Sequence, residues 1–324
     1  MAQRVDIRKR ARSIGEISQM TRAMHLISAV KMKRARTLLT KTLPFFELVR
    51  TTIARIRLSD PDLEHPWFSP RRLKKGELWK TGYFILTGDQ GLAGAYNLNL
   101  LNAAQNHIRR DIIEKARQGL SAKALLYVAG SIGKEILVHQ GFEVVQQFEY
   151  PIDNPTYFRA RDISDYMHDL YDRKELDEVV VIFTYLNTAM DMKPRALKLI
   201  PVDADALLEG VHVDEYTHGQ AFRDIVNIEY FPSAREVLNH LVVAYLRSMV
   251  YGALTESFAS EQTARMIAMD HATENAEEML EKLRLEANRV RQAAITQEIS
   301  EVVGGAEILA GDRRGGIGGM KGSS

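Results

Sequence analysis

Of the 324 residues 45% are hydrophobic and none is cysteine, which allows a buried core but excludes disulfides, thiolate metal sites, cysteine nucleophiles and thiol redox switches. The net charge of +1 conceals a segregation: residues 1–59 carry 14 basic and 3 acidic side chains, residues 60–232 carry 19 and 26, residues 233–309 carry 7 and 12, and residues 310–324 carry 3 and 1. No run approaches the roughly 18–20 uncharged apolar residues that cross a bilayer, and the basic start MAQRVDIRKRARSIGE leads into a helical pattern, not a signal core or transit peptide, so a cytoplasmic chain is expected.

Residues 1–59 predict one long helix. Ile14, Ile17, Met20, Met24, Ile27 and Val30 recur in steps of three and four, which keeps one face apolar. No glycine interrupts between Gly15 and Gly76. Pro44 lacks an amide donor and predicts a kink or local break. The three prolines of SDPDLEHPWFSP, from Ser59 to Pro70, end the segment.

Residues 60–232 alternate strands and helices. Strands are expected at Tyr83–Leu86, Leu125–Ala129, Val144–Phe148 and Val179–Tyr185, with helices at Asn99–Gln118, Ser131–Gln140 and Ile163–Tyr171. Such alternation predicts an α/β domain with a mainly parallel sheet.

A second long helix is expected over 233–310. Ser233 offers a cap with Glu236 three residues on. Ala276, Leu280, Leu283, Ala287, Val290 and Ala294 step 4-3-4-3-4, a heptad seam. At about 1.5 Å per residue the two terminal segments would span on the order of 85 and 115 Å, so they must pair with each other or with a partner. The Gly/Ser-rich residues 311–324 predict a flexible tail.

Catalytic chemistry finds little support. GDQGLAG, Gly88–Gly94, sits where a phosphate-binding turn would, but its spacing is GxxGxxG and a tight turn with positive φ is the simpler reading. GSIGKE, Gly130–Glu135, lacks the first glycine and the Ser or Thr of a P-loop. The nine histidines show no ligand spacing, and Glu274, Glu277, Glu278 and Glu281 read as a solvated helix face, so no metal and no cofactor is expected. The basic cluster Lys31, Lys33, Arg34 and Arg36 fits a solvated face, an acidic protein surface or nucleic acid.

Three stretches resemble the gamma, central-shaft subunits of rotary F-type ATP synthases. They are IRKRARSIGEISQMTRAMHLISAVKMKRA with its Thr21–Met24 and Ser28–Ala35 cores, GDQGLAGAYNLNL, and the pair ESFASEQTARMIAMDHATENAEEM and NRVRQAAITQEISEVVGGAEIL. The resemblance covers residues 1 to about 309 and is weakest in the middle. Gly88, Gln90 and Ala93 stand where the family often has Ser, Arg and Cys, and the residues beyond Ala310 exceed its usual end.

The resemblance implies an α/β central domain flanked by two terminal helices forming an antiparallel coiled coil, with Ile14, Ile17 and Ile27 facing Leu280, Leu283 and Val290. It implies a non-catalytic rotor inside a hexamer of alpha and beta subunits, with a foot on the epsilon subunit and the membrane c-ring. Coupling of ion translocation to ATP synthesis or hydrolysis would follow, at the cytoplasmic face of a bacterial inner membrane, with no membrane span of its own and no nucleic acid. Met24, Lys31, Lys33, Arg34, Arg291, Gln292, Thr296 and Glu298 would contact beta-subunit loops. For Thr296 a bond to its own preceding helical turn is the alternative. A nucleic-acid-binding helical arm and an enzyme built on the Gly88–Gly94 turn are the competing function classes.

Overall fold

A computed structural model of the chain describes residues 2–60, 63, 65–68, 78–148, 155–188, 191–202, 207 and 229–315. Helix α1 (Ala2–Ser59) opens the chain and α5 (Ala234–Gly315) closes the described part. Between them run β1 (Leu78–Leu86), α2 (Tyr96–Arg117), β2 (Ser121–Ala129), α3 (Ser131–His139), β3 (Val144–Phe148), α4 (Tyr157–Asp172), β4 (Glu178–Thr188) and β5 (Asp191–Ile200).

The strands form one sheet in the order β3-β2-β1-β4-β5. The first four are parallel and β5 runs antiparallel to β4. Strands β1 and β4 lie centrally and read as unbroken apolar runs, Tyr83–Leu86 and Val179–Phe183, because both of their faces are covered. Alternation along them separates two cores. Tyr83, Ile85, Val180 and Ile182 face Leu100, Leu101 and Ala104 of α2 and Leu137 of α3. Phe84, Leu86, Val179, Val181 and Phe183 join α4 through Ala160, Ile163 and Met167, α1 through Val49, Ile53 and Ile56, and α5 through Leu246, Val250 and Phe258.

Strand β5 is absent from the sequence reading, for a physical reason. Its DMKPRALKLI pattern lacks an apolar run because an edge strand has one neighbour and much solvent. The edge also accommodates Pro194, which has no amide to donate to a second partner.

Helix α1 ends where expected, at Ser59, whereas α5 outruns its expected end. Helix α1 continues through Pro44 without a break. Helix α5 starts where Ser233 Oγ accepts from the Glu236 amide at 3.3 Å, and it continues past Ala310 to Gly315, so 311–315 are helical where a flexible tail was expected. The rest of that expected tail, 316–324, lies outside the described residues. The most apolar 18-residue stretch of α5 reaches a mean hydropathy of 1.2 and is 44% buried within the chain, as suits a helix that feeds a core.

The chain divides into two compact units, one of residues 1–25 with 269–324 and one of residues 26–268. In the first, Thr21 Oγ1 and Thr273 Oγ1 share a hydrogen bond at 2.6 Å, Arg22 pairs with Glu277, and Ile14 lines one hollow with Met279 and Leu283. From Ile14, beside Met279 and Leu283, to Thr21, opposite Thr273, the partner number falls as the α1 number rises.

The inward face of α1 differs from the one its apolar spacing predicts. Ile17 is 50% exposed and Ile27 56%, whereas Ile7, Ser18 and Thr21 are buried and Ile14 is half-buried. Steps of three, as in 14-17-20, drift about 60° backwards around the helix each time, while 7-11-14-18-21 alternates four and three and stays on one side. The inward side therefore includes small hydroxyls, and several large apolar residues point outward. On α5, Thr273 and Ala276 are buried and Leu280, Leu283, Ala287 and Val290 are half-buried.

Candidate functional site

Strand order reverses between β1 and β4, since β1 leads to β2 on one side while β4 flanks it on the other. In open α/β sheets the crevice beyond the carboxyl ends of such strands is where ligands bind. Here α5 occupies it. Ser257 Oγ donates to the Leu86 carbonyl at 2.9 Å, and Ser260 Oγ donates to the Thr184 carbonyl at 2.9 Å. The Leu186 amide donates to Glu256 Oε2 at 3.3 Å, and burial raises the pKa of that carboxyl. Tyr96 of α2 reaches the Ser257 carbonyl at 3.0 Å.

One turn further, Arg265 donates through Nη2 to Glu261 Oε1 at 2.5 Å and to the Gln90 carbonyl at 3.1 Å, and through Nε to the Gly91 carbonyl at 3.3 Å. The two side chains are 4% and 5% exposed. Gly88 follows from this arrangement, because a Cβ there would stand 2.8 Å from the Glu261 carboxyl. The Gly88 amide is satisfied by Asn97 Oδ1 at 2.8 Å. Positive φ within the turn falls on Leu92 and Gly94, not on Gly88 or Gly91. Gly130 takes φ 98 against Thr87, where a side chain would collide with the Thr87 backbone, so the Gly130–Glu135 motif serves packing.

A second polar cluster closes the opposite end of the sheet. Lys115 of α2 donates to Thr81 Oγ1 at 2.7 Å, to Asp111 Oδ2 at 2.6 Å and to Glu178. Lys198 reaches Glu178 Oε1 at 3.2 Å, and Trp79 Nε1 donates to Glu178 Oε2 at 3.2 Å. Burial opposes the Glu178 charge, yet the two lysines outweigh it and hold its pKa below the ordinary value.

Of the expected contact residues, Lys33, Arg34, Arg291, Gln292, Thr296 and Glu298 are exposed, and Met24 and Lys31 are half-buried. Arg291, Gln292, Thr296 and Glu298 occupy consecutive turns of a helix stretch, 291–303, in which every residue is exposed. Thr296 Oγ1 donates to the Gln292 carbonyl at 3.0 Å, the local helix bond that was its alternative reading. Met24 is not beside this group. With Thr21 opposite Thr273, Met24 lies roughly 30 Å along the helices from Arg291. Lys31, Lys33 and Arg34 belong to the other compact unit. The Glu261–Arg265 pair escaped the sequence reading, because an i,i+4 Glu/Arg pair looks the same whether solvated or buried. Its one signal is a setting of small side chains, SFASEQTA, that lets a helix approach closely.

A doubly wound domain whose ligand crevice is filled by its own terminal helix, with a second long helix packed into its core, defines an α/β domain built with two long terminal helices. Residues 3–309 match the ATP synthase family. The chain is 43% identical over 304 residues to the ATP synthase gamma chain of Ruminiclostridium cellulolyticum, covering 94% of this chain and 98% of that one. It is 40% identical to the gamma chain of Acetivibrio thermocellus, over 95% and 100% of the two chains. The sodium-ion-specific ATP synthase gamma chain of Acetobacterium woodii is 34% identical, over 95% and 100%. A chain in the central stalk and c-ring structure of the Tetrahymena thermophila mitochondrial ATP synthase shares the fold, with a TM-score of 0.52 at 22% identity over 78% of this chain and 99% of that one. The chain belongs to the ATP synthase gamma chain family.

Proposed function

We propose that this chain is the rotating stalk of its ATP synthase. It carries torque between the membrane c-ring and the alpha/beta hexamer and so couples ion translocation to ATP synthesis or hydrolysis. In this reading α1 and the distal part of α5 form an antiparallel coiled coil inside the hexamer. The sheet domain is the foot, resting on the epsilon subunit and the c-ring at the cytoplasmic face of a bacterial inner membrane. Nucleotide chemistry takes place on other chains.

The observation that carries the reading is the exposed end of α5. Ile295, Ile299, Val302 and Val303 are between 44% and 72% exposed, interleaved with Arg291, Gln292, Thr296 and Glu298. An apolar helix end of this length in water calls for a surrounding partner, and an encircling hexamer supplies one. Arg291 offers a fork of donors suited to carboxylates and Gln292 both a donor and an acceptor. Met24 and the Lys31–Arg34 cluster would face acidic beta loops at other heights.

The test is reconstitution of the complex in vesicles with and without this chain. With it, ATP hydrolysis should drive ion uptake. Without it, any hydrolysis by the hexamer should move no ions, and uptake that persists would overturn the stalk reading.

A further inference from the structure

Apolar packing resists separation of two surfaces but not sliding, because it has no direction. Hydrogen bonds resist both. Buried ones resist most, since shifting a partner strands a desolvated group, at a cost that is larger when the group is charged. Among the described residues the hydrogen bonds from α5 to the sheet and the turn after β1 fall in one stretch of ten residues, at Glu256, Ser257, Ser260 and Arg265, with Arg265 held by Glu261. They grip the carboxyl ends of two adjacent strands and the turn after β1. Glu261 and Arg265 are the only charged pair among them, and both side chains are almost wholly out of water.

We propose that Arg265, held by Glu261, is the positioning residue of a shear-resistant joint that makes the sheet domain and α5 turn as one body. This rests on the stalk reading above and goes beyond it by naming where the load crosses. The guanidinium reaches three acceptors on two elements, Glu261 on its own helix and the carbonyls of Gln90 and Gly91 on the turn. A lateral displacement of the turn therefore breaks directional bonds before apolar contacts give way. Gly88 permits the close approach, so the Glu261 carboxyl lies directly against the turn.

The experiment compares assembled complexes in vesicles containing the wild-type chain, Arg265→Ala or Arg265→Lys. ATP hydrolysis and ATP-driven ion uptake are measured on the same samples against an opposing ion gradient. With alanine, hydrolysis should stay within two-fold of wild type while ions moved per ATP fall at least two-fold under load. Lysine keeps the charge opposite Glu261 but reaches fewer carbonyls, and should fall between. Arg265→Lys carries the test alone if the alanine variant does not assemble. An unchanged ratio of ions to ATP overturns the joint. So does a parallel loss of hydrolysis and uptake, which is what loss of fold alone produces. Complexes lacking the chain separate the two readings, because uptake in their absence defeats the stalk reading itself, whatever the ratio in the variants.

Discussion

Thr21 and Thr273, 252 positions apart, share a hydrogen bond between their hydroxyls at 2.6 Å. Each also donates within its own helix, Thr21 to the Ser18 carbonyl at 3.1 Å and Thr273 to the Met269 carbonyl at 2.8 Å. Two hydroxyl hydrogens serve these three contacts, so the threonine that donates across the helices gives up the carbonyl of its own turn while the other accepts with a lone pair. Valine matches threonine in shape and removes the hydroxyl. Thr21→Val or Thr273→Val alone should each cost about 0.5–1.5 kcal/mol, because the surviving hydroxyl faces a methyl group. The double substitution should cost clearly less than the sum of the two, since the one cross-helix bond can be lost only once. Urea midpoints of the four full-length chains test this, and strict additivity would show that the two hydroxyls do not act together.

Lys115 and Glu178 should show the same asymmetry with charges. Their side chains are 9% and 8% exposed, and breaking such a buried pair costs about 3–5 kcal/mol at neutral pH. Lys115→Met leaves Glu178 with Lys198 as its remaining cation. The folded-state pKa of Glu178 lies below 4.5 in the wild type, so its stabilisation is present above that pH and is lost as pH falls through the folded value. Burial without Lys115 pushes the pKa up instead, and protonation then relieves the variant. The gap in stability between wild type and Lys115→Met should be widest near pH 7 and should narrow below pH 4.5. Urea unfolding at several pH values measures it, and a gap independent of pH would show that the lysine contributes packing alone.

The fold was legible in sequence where burial selects one kind of side chain. VVVIFTY read as a strand and is one, buried along most of its length, and the α5 heptad includes Leu283, which lines one hollow with Ile14. It was illegible where burial selects small or polar groups. The inward side of α1 includes Ser18 and Thr21, while the eye is drawn to Ile17 and Ile27, which face water in the isolated chain. Strand β5 lacked a signal because an edge needs no apolar run. The Glu261–Arg265 pair lacked one because helical spacing does not say what lies across the helix. The contact residues came through family resemblance, and their chemistry alone would equally fit a solvated face.

The basic cluster should behave as a set of weak, interchangeable charges. Lys33 and Arg34 are exposed, and single ion pairs at exposed sites are screened by water and salt. Lys33→Ala and Arg34→Ala should each change ATP turnover of the assembled complex by less than about five-fold, an effect that shrinks further at high salt. Met24 is half-buried and carries no charge. Met24→Lys adds a cation facing acidic loops in the proposed complex, and should lower the ions moved per ATP. Wild-type coupling in Met24→Lys would count against that placement.

Arg291 offers the sharpest distinction between a stalk contact and a bare helix face. Its side chain is exposed, and the neighbouring Gln292 already gives its carbonyl to Thr296, so Thr296 can donate to a partner only by giving up a local bond. Arginine gives up nothing comparable, since its donors in water are merely hydrated. A contact that alternates around a rotation must form and break, which favours one charged fork over a web of neutral bonds. Arg291→Ala should leave assembly and nucleotide affinity unchanged while slowing turnover of the assembled complex. A charged hydrogen bond is worth about 1.5–3 kcal/mol, which at a rotational barrier is roughly 10-fold to 150-fold in rate. Arg291→Lys retains the charge without the fork and should recover part of the loss. Steady-state hydrolysis by the purified complexes decides it, and turnover equal to wild type in Arg291→Ala would leave this side chain as a solvated helix face.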